Sequence, residues 1–454
     1  MGRRIYVVSK IKTHYREVIY IHPYTPMLDP LTLPLSLPAL IRRIPNEVAG
    51  FSHSEIKDDY IRNAKIIIID IHWHLSLLGA VELVRKIRRL NPKVKVVAGG
   101  ITASEYAKIL VDSFDIDYVI RGDAEIPLPS LVAALLNDQR NIKLVPNIVG
   151  KYGFETPWDY CLTQSDLDEN EFYDINFFPT YKTRIINIHK RHKRWTPGAY
   201  PHLLSFRGCP LDCKSCAGGK VEQKKLFKRE RVVRSPERFR SDLDTLAADP
   251  DIRFVTAIND FITLLPEHYS SAVLTKKFDL KLNYDFASAP ALPMLNLLLK
   301  SFAGGVICFS CDKKHLTSSE LNNPEHMIRL IAEVKRTGQY IPVLHYNGSF
   351  LAQDKEYRKW LKCVHKRAKP LLRDAASWWA DYPQPDENGC AKSEYFYKFM
   401  NYNKTIKTLN LAMNKCLEGA AQMIDANLPA AFVMELRKFH IKIEDFLRAP
   451  SLYV

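Results

Sequence analysis

The sequence predicts an α/β protein in three parts, and three observations carry that prediction. Strand-sized apolar runs alternate with helical patterns over residues 1–150, and again over 200–372. Between them, 151–199 breaks the alternation and reads as a connecting segment. The remainder, 373–454, is aromatic-rich and mostly helical in spacing. Alternation of this kind implies parallel sheets whose crossovers are helices.

In the first part, "RIYVVS" and "EVIYIHP" are short apolar runs, and "SLPALIRRI" has helical spacing. "AKIIIIDIHW" is a strand of the kind buried on both faces. "GAVELVRKIRRLNP" follows as an amphipathic helix stopped by Asn-Pro, and "KVKVVAGG" is a strand closed by Gly99 and Gly100. "TASEYAKILVDSF" predicts one helix, "DYVIRGD" a strand, and "LPSLVAALLN" a helix. Such sheets take ligands beyond the carboxyl ends of their strands, where the strand order reverses. That edge holds His72 to Ser76, Gly99 to Thr102 and Arg121 to Glu125.

The connecting segment offers a glycine-containing hairpin ("NIVGKYGFETP"), an acidic stretch ("SDLDENEF") and a basic run. In the second part, "HLLSF", "RFVTAIN", "LKLNYDFA", "GVICFS" and "YIPVLHYNG" are strands. The patterns "PERFRSDLDTLAA", "LPMLNLLLKSF" and "PEHMIRLIAEVKRTG" between them are helices. Repeated βα units without dinucleotide-type glycines predict a barrel or partial barrel, whose active site gathers at the strand carboxyl ends.

Composition narrows the setting. With 454 residues, 46% hydrophobic and 25% charged, the chain is an ordinary globular protein of two or three domains. No apolar run reaches the roughly 18–20 residues of a membrane span. The first residues lack a secretory core, so the expected compartment is the cytoplasm. Nine cysteines, an odd number, do not make a disulfide framework. The net charge of +15 is concentrated in two runs flanking 200–219. Lys182 to Arg194 holds six Lys/Arg and two His; Lys220 to Arg234 holds seven Lys/Arg against two Glu. These runs are either a solvated surface or a field that draws an anionic substrate, a nucleic acid or an acidic protein towards the site. No nucleic-acid signature accompanies them, which argues against a nucleic-acid partner.

The sharpest motif is "RGCPLDCKSCAGG", in which Cys209, Cys213 and Cys216 are spaced C-x3-C-x2-C directly after the first strand of the second part. A structural zinc site wants four ligands, and His202 is the one nearby residue that could supply a fourth. Three thiolates on one short loop suit a [4Fe–4S] cluster with one iron left open to a small chelating ligand. Gly208 and Pro210 shape the approach to the loop, and Gly218 and Gly219 allow backbone close to the cluster. Cys308 and Cys311 fall on opposite sides of their strand, and the thiol that faces inward reads as a small core residue.

At these residues the chain resembles the radical S-adenosylmethionine superfamily, whose signature is this cysteine spacing after the first strand of a βα barrel. The stretch from Asp70 through "GG" to "DYVIRGDAE" is similar to the cobalamin-binding domain that precedes the barrel in one large subfamily. The resemblance covers about 60–150 and 200–220 well and 250–350 weakly.

The resemblance implies a Rossmann-like (flavodoxin-like) cobalamin-binding domain at 1–150. It also implies a radical SAM partial (βα)6 TIM-type barrel at 200–372 and a C-terminal helical domain at 373–454. Cys209, Cys213 and Cys216 would hold the cluster. Gly218, Gly219, Asn259, Asp260, Ser310, Asp312 and Asn347 would contact S-adenosylmethionine. His72, Trp73, His74, Ser76, Gly99, Gly100, Ile101, Thr102, Arg121, Gly122, Asp123 and Glu125 would line the cobalamin. Asp70-x-His72 lacks the glycine of the histidine-ligated motif, so His72 is expected to pack against the lower face without ligating cobalt. Where relatives read Ser-Pro-Glu-Ser, this chain has Ser310-Cys311-Asp312-Lys313.

The implied activity is reductive cleavage of S-adenosylmethionine to a 5′-deoxyadenosyl radical, followed by methylation of an unactivated carbon of a small substrate. A second S-adenosylmethionine would remethylate the cobalamin. A flavodoxin- or ferredoxin-type protein would donate the electron. The alternatives are a non-methylating rearrangement or cyclisation, or a catalytically degenerate or zinc-stabilised cofactor-binding protein.

Overall fold

The computed structural model describes residues 16–23, 36–72, 76–173, 201–211, 220–269, 274–310, 323–345 and 355–371. The "RIYVVS" run and the whole of 373–454 lie outside these residues. The described residues fall into two compact units, one of 16–23 and 40–160, the other of 36–39 and 161–371. Among them, no helix is long and apolar enough to cross a membrane.

The first unit is built on a sheet of β1 (Val18–His22), β2 (Val48–Ser52), β3 (Ile66–Asp70), β4 (Lys95–Gly99), β5 (Tyr118–Ile120) and β6 (Ile148–Gly150). Their spatial order is β2-β1-β3-β4-β5-β6. The first five are parallel and β6 closes the edge antiparallel. Every residue of β1 and β3 is buried, as a parallel sheet covered on both faces requires. The order reverses between β1 and β3, which makes their carboxyl ends the switch point.

Helix Ser76–Leu90 lays Ala80, Val84 and Ile87 into the core at helical spacing. Asn91 then ends it, its side-chain amide donating to the carbonyls of Ile61 and Ala64 at 3.0 and 2.9 Å. The single helix expected over 102–114 is two, Ile101–Glu105 and Ala107–Ser113, broken at buried Tyr106. The 147–157 segment does turn back on itself: the Gly150 amide donates to the Phe154 carbonyl at 2.7 Å, and β6 pairs with β5.

The second unit contains a sheet of β7 (His202–Leu203), β10 (Phe254–Ala257), β11 (Phe278–Phe286), β12 (Phe302–Ser310) and β13 (Tyr340–His345). A separate two-stranded piece is made of β8 (Phe206–Arg207) and β9 (Val232–Val233). The five-stranded sheet is parallel throughout, in the order β13-β12-β11-β10-β7. Its strands follow one another without reversal, unlike those of the first sheet.

Helices Pro236–Ala248, Leu292–Ser301, Glu325–Arg336 and Lys355–Ala368 share one core with one face of this sheet. Leu243, Leu298, Leu330 and Trp360 meet Leu282, Tyr284, Ile307 and Phe309 there. The alternate residues point the other way. Val306, Cys308 and Val343 form their own small cluster on the opposite face, which carries no helix among the described residues. Cys308 is accordingly a small apolar packing residue on that face, and Cys311 lies outside the described residues.

Candidate functional site

In the second unit, parallel pairing brings the carboxyl ends of all five strands to one edge. The chain leaves β7, makes β8, and turns at Gly208 with φ of +85°. A Cβ there would lie 3.2 Å from Arg231 Cα, so glycine is required on both counts. Cys209 follows and is half-buried. Cys213, Cys216, Gly218 and Gly219 lie outside the described residues, but both roots of their loop are placed. The Lys220 amide donates to the Leu211 carbonyl at 2.8 Å, which joins the two described residues on either side of 212–219. Among the described residues, no group of three or more Cys, His, Asp or Glu comes together as a metal site.

Asn259 and Asp260 end β10 at the same edge. The Asn259 side-chain oxygen accepts from Ser205 Oγ and the Phe206 amide, both at 3.4 Å, and so leans on the root of the cysteine loop. Asp260 is buried and fully occupied. Its oxygens accept from the Thr263 amide at 2.9 Å, Tyr284 Oη at 2.8 Å, the Ala287 amide at 2.7 Å, and the Thr263 hydroxyl. Burial pushes its carboxyl up, against those hydrogen bonds. Asp260 thus ties the end of β10 to the end of β11. Ser310 ends β12 opposite His345 of β13; Asp312 and Asn347 lie outside the described residues.

His202, Thr256 and Asn283 form one cross-strand row on the face opposite the described helices. Burial lowers the His202 imidazole to about 4, so it is neutral at physiological pH.

The basic run of 220–234 is largely absorbed by the fold. Lys224 pairs with Glu230 at 2.8 Å. Arg231 lies over the Phe206 ring at 5.5 Å. Arg234 is completely buried: it holds Asp242 through two contacts of 2.5 and 3.0 Å, and donates to the carbonyls of Leu167 and Asn170. The acidic stretch of the connecting segment supplies those carbonyls from helix Gln164–Glu169 and the residue after it. Sequence proximity to the cysteines therefore does not make Arg234 a substrate-facing charge.

In the first unit, the carboxyl edge carries three of the expected segments. Gly100 has φ of +114°, and a Cβ there would sit 2.8 Å from the Ile71 carbonyl group. That close approach lets Thr102 Oγ1 donate to the His72 carbonyl at 3.1 Å. It also lets the Ala103 amide donate to the Ile71 carbonyl at 3.1 Å. Ser104 Oγ donates to the Gly100 carbonyl at 2.8 Å and accepts from the Gly122 amide at 2.9 Å, which joins the ends of β4 and β5.

Ile101 is half-buried, while Ser76, Asp123 and Glu125 are buried. Glu125 accepts from the Ala124 amide at 3.1 Å. Arg121 faces the hairpin, bonded to Glu155 at 3.1 Å and lying over the Trp158 ring at 4.7 Å. His72 is half-buried; Trp73 and His74 lie outside the described residues.

Sequence reasoning missed Tyr20 and His22 of β1 and the partnership they make with Asp70 of β3. His22 Nδ1 lies 2.8 Å from Asp70 Oδ1, and Tyr20 Oη donates to the same oxygen. The available signal was a polar residue closing each of two fully apolar runs, "VIYIH" and "IIIID".

No protein-family model matches the chain, and no curated protein does. Among solved structures, it is similar to the radical S-adenosylmethionine methyltransferase TsrM of Kitasatospora setae, in the form with tryptophan substrate and the SAM analog aza-SAM bound. The TM-score is 0.53 at 14% identity, over 81% of this chain and 77% of that one. A second structure of TsrM, with cobalamin and a [4Fe–4S] cluster bound, gives 0.48 at 16% identity, over 73% and 66%. The first of these likenesses establishes the fold: a mixed α/β protein with parallel sheets, shared with a radical SAM methyltransferase.

Proposed function

We propose that this chain is a cobalamin-dependent radical S-adenosylmethionine enzyme that methylates an unactivated carbon of a small molecule. The observation that carries the reading is three cysteines within eight residues of sequence, the first of them two residues past β8, which follows the first strand of a parallel sheet. The fold likeness to a radical SAM methyltransferase supports it. The domain reading of 1–150, 151–199, 200–372 and 373–454 belongs to this proposal. So does the partial (βα)6 barrel, for which the unreversed strand order and the gathering of the described helices on one face speak.

The donor set fits the cluster: Cys209, Cys213 and Cys216 would hold three irons and leave the fourth open. The edge of the first sheet fits a broad ligand. Gly99 carries no side chain there, and among the described residues a Cβ would meet the Ile120 carbonyl oxygen at 4.0 Å without a clash. Bound together, these cofactors supply an electron, a hydrogen-abstracting radical and a methyl group. The chain's own residues supply geometry. The Lys220–Leu211 hydrogen bond joins the described residues on either side of 212–219, and Asn259 braces the Phe206 amide ahead of Cys209. Asp260 fixes the ends of β10 and β11 with all its hydrogen-bonding capacity spent on protein, so its role toward S-adenosylmethionine is one of positioning.

Gly218, Gly219, Ser310, Asp312 and Asn347 complete the proposed S-adenosylmethionine contacts. The basic runs that flank the cysteines in sequence favour a substrate bearing an anionic group, with an external flavodoxin or ferredoxin as reductant.

The test is anaerobic reconstitution with iron, sulfide and cobalamin, followed by S-adenosylmethionine and a reductant. Formation of 5′-deoxyadenosine is expected even without substrate. Its absence from a protein of full iron content would contradict the proposal, whereas its formation with product isomerised but not methylated would select the rearrangement reading.

A further inference from the structure

At the switch point of the first sheet, Ser52 pairs with His22 and Asp70 pairs with Gly99 in register, so the four lie in one row along the carboxyl edge. The Asp70 carboxyl is 5% exposed, and its two oxygens are treated unequally. Oδ1 receives both Tyr20 Oη and His22 Nδ1. Oδ2 is buried and, among the described residues, has no hydrogen-bond donor. Desolvation pushes this carboxyl up, but His22, the Tyr20 hydroxyl and nearby His72 outweigh it and hold Asp70 below the ordinary carboxylate range. It is therefore a carboxylate at neutral pH, with half of its acceptor capacity unused. A buried charged acceptor left bare is costly, so such an atom commonly marks a place where something else donates. Next to it in the row, Gly99 contributes no side chain, and among the described residues a Cβ there would meet the Ile120 carbonyl oxygen at 4.0 Å, an ordinary contact that leaves room for a small group.

We propose that Asp70, oriented by Tyr20 and His22, is an amide-reading residue of the ligand site at this edge. A ligand group occupying the open position at Gly99 donates an N–H to Asp70 Oδ2. The inference rests on the cobalamin reading and sharpens it to a chemical class: a corrinoid whose side chains are carboxamides, which donate, and not carboxylates, which would meet Asp70 as like charges. Tyr20 and His22 act through Asp70. By occupying Oδ1 they keep the carboxylate charged and leave its other oxygen as the acceptor without a donor among the described residues.

The experiment uses the full-length protein and two corrinoid probes, dicyanocobinamide with amide side chains and dicyanocobyrinic acid with carboxylates. Binding is followed by visible absorbance and by quenching of intrinsic fluorescence. The wild type is expected to prefer the amide probe at least tenfold. Asp70→Asn, whose amide can itself donate to a carboxylate, is expected to cut that preference tenfold or more. Gly99→Ser places a hydroxyl in the open position, and should weaken the amide probe about tenfold while leaving the circular dichroism unchanged. If Asp70→Asn fails to fold, the wild-type preference and Gly99→Ser decide. Equal wild-type binding of both probes, an unchanged preference in folded Asp70→Asn, or full affinity in Gly99→Ser overturns the inference while the cobalamin reading stands. Binding of neither probe overturns both.

Discussion

Arg234→Leu is expected to cost the fold about 3–5 kcal/mol, measured as a lowered urea midpoint at pH 8 with an unchanged slope. The guanidinium is fully buried and satisfies Asp242 together with two carbonyls of the 164–170 segment. Removing it strands a carboxylate that burial already pushes upward in pKa, even with the arginine beside it. In the variant, the folded state holds a proton on Asp242 more tightly than the unfolded chain does. Stability must then rise as pH falls, and the deficit against wild type should shrink toward pH 5. Arg234→Leu combined with Asp242→Leu should recover most of the loss, because no buried charge then lacks a partner. A single variant as stable as wild type at pH 8 would mean that Arg234 is not the clamp described.

Gly305→Ala is the second large effect, on the order of 3 kcal/mol. Gly304 and Gly305 have φ of +141° and +137°, conformations costly for any residue with a Cβ. A Cβ at Gly305 would also overlap the Leu282 carbonyl oxygen of the neighbouring strand. The pairing of β11 with β12 shifts register just before this point, between Phe278 and Lys281, and the two glycines let β12 follow the shift. Thermal unfolding of the variant should show the loss. Gly338→Ala is a fitting control, since that glycine also has positive φ (+68°) but open space around it, and it should lose less.

The same glycine pair shows where sequence reading runs short. "GVICFS" was legible as a strand, yet β12 begins three residues earlier at Phe302, because Gly-Gly looks like an end when it is a bulge accommodation. β2, "VAGFS", carries too little β-branched or aromatic signal to stand out alone; it forms because β1 offers it a parallel edge. The helices Ser76–Leu90, Pro236–Ala248 and Glu325–Arg336 were legible because their apolar spacing and terminal Pro, Ser or Asn signals agree.

At the candidate site, the cysteine spacing and the glycine turn were local patterns and could be read directly. The Tyr20–His22–Asp70 cluster could not, since it joins residues that only the strand order β1-β3 brings together. Arg234 was misleading for the converse reason: a run of positive charge reads alike whether its members face solvent or a buried aspartate.

The central claim is that Cys209, Cys213 and Cys216 hold an iron–sulfur cluster with one iron open. Iron and acid-labile sulfide counted on protein purified without oxygen, with its absorbance and low-temperature electron paramagnetic resonance spectra, tests it most directly. The account predicts about four irons and four sulfides per chain. It also predicts a reduced-state signal that changes on adding S-adenosylmethionine, and loss of both metal and signal in the Cys209→Ala/Cys213→Ala/Cys216→Ala variant. Zinc in place of iron, or a cluster that survives the triple substitution, would contradict it.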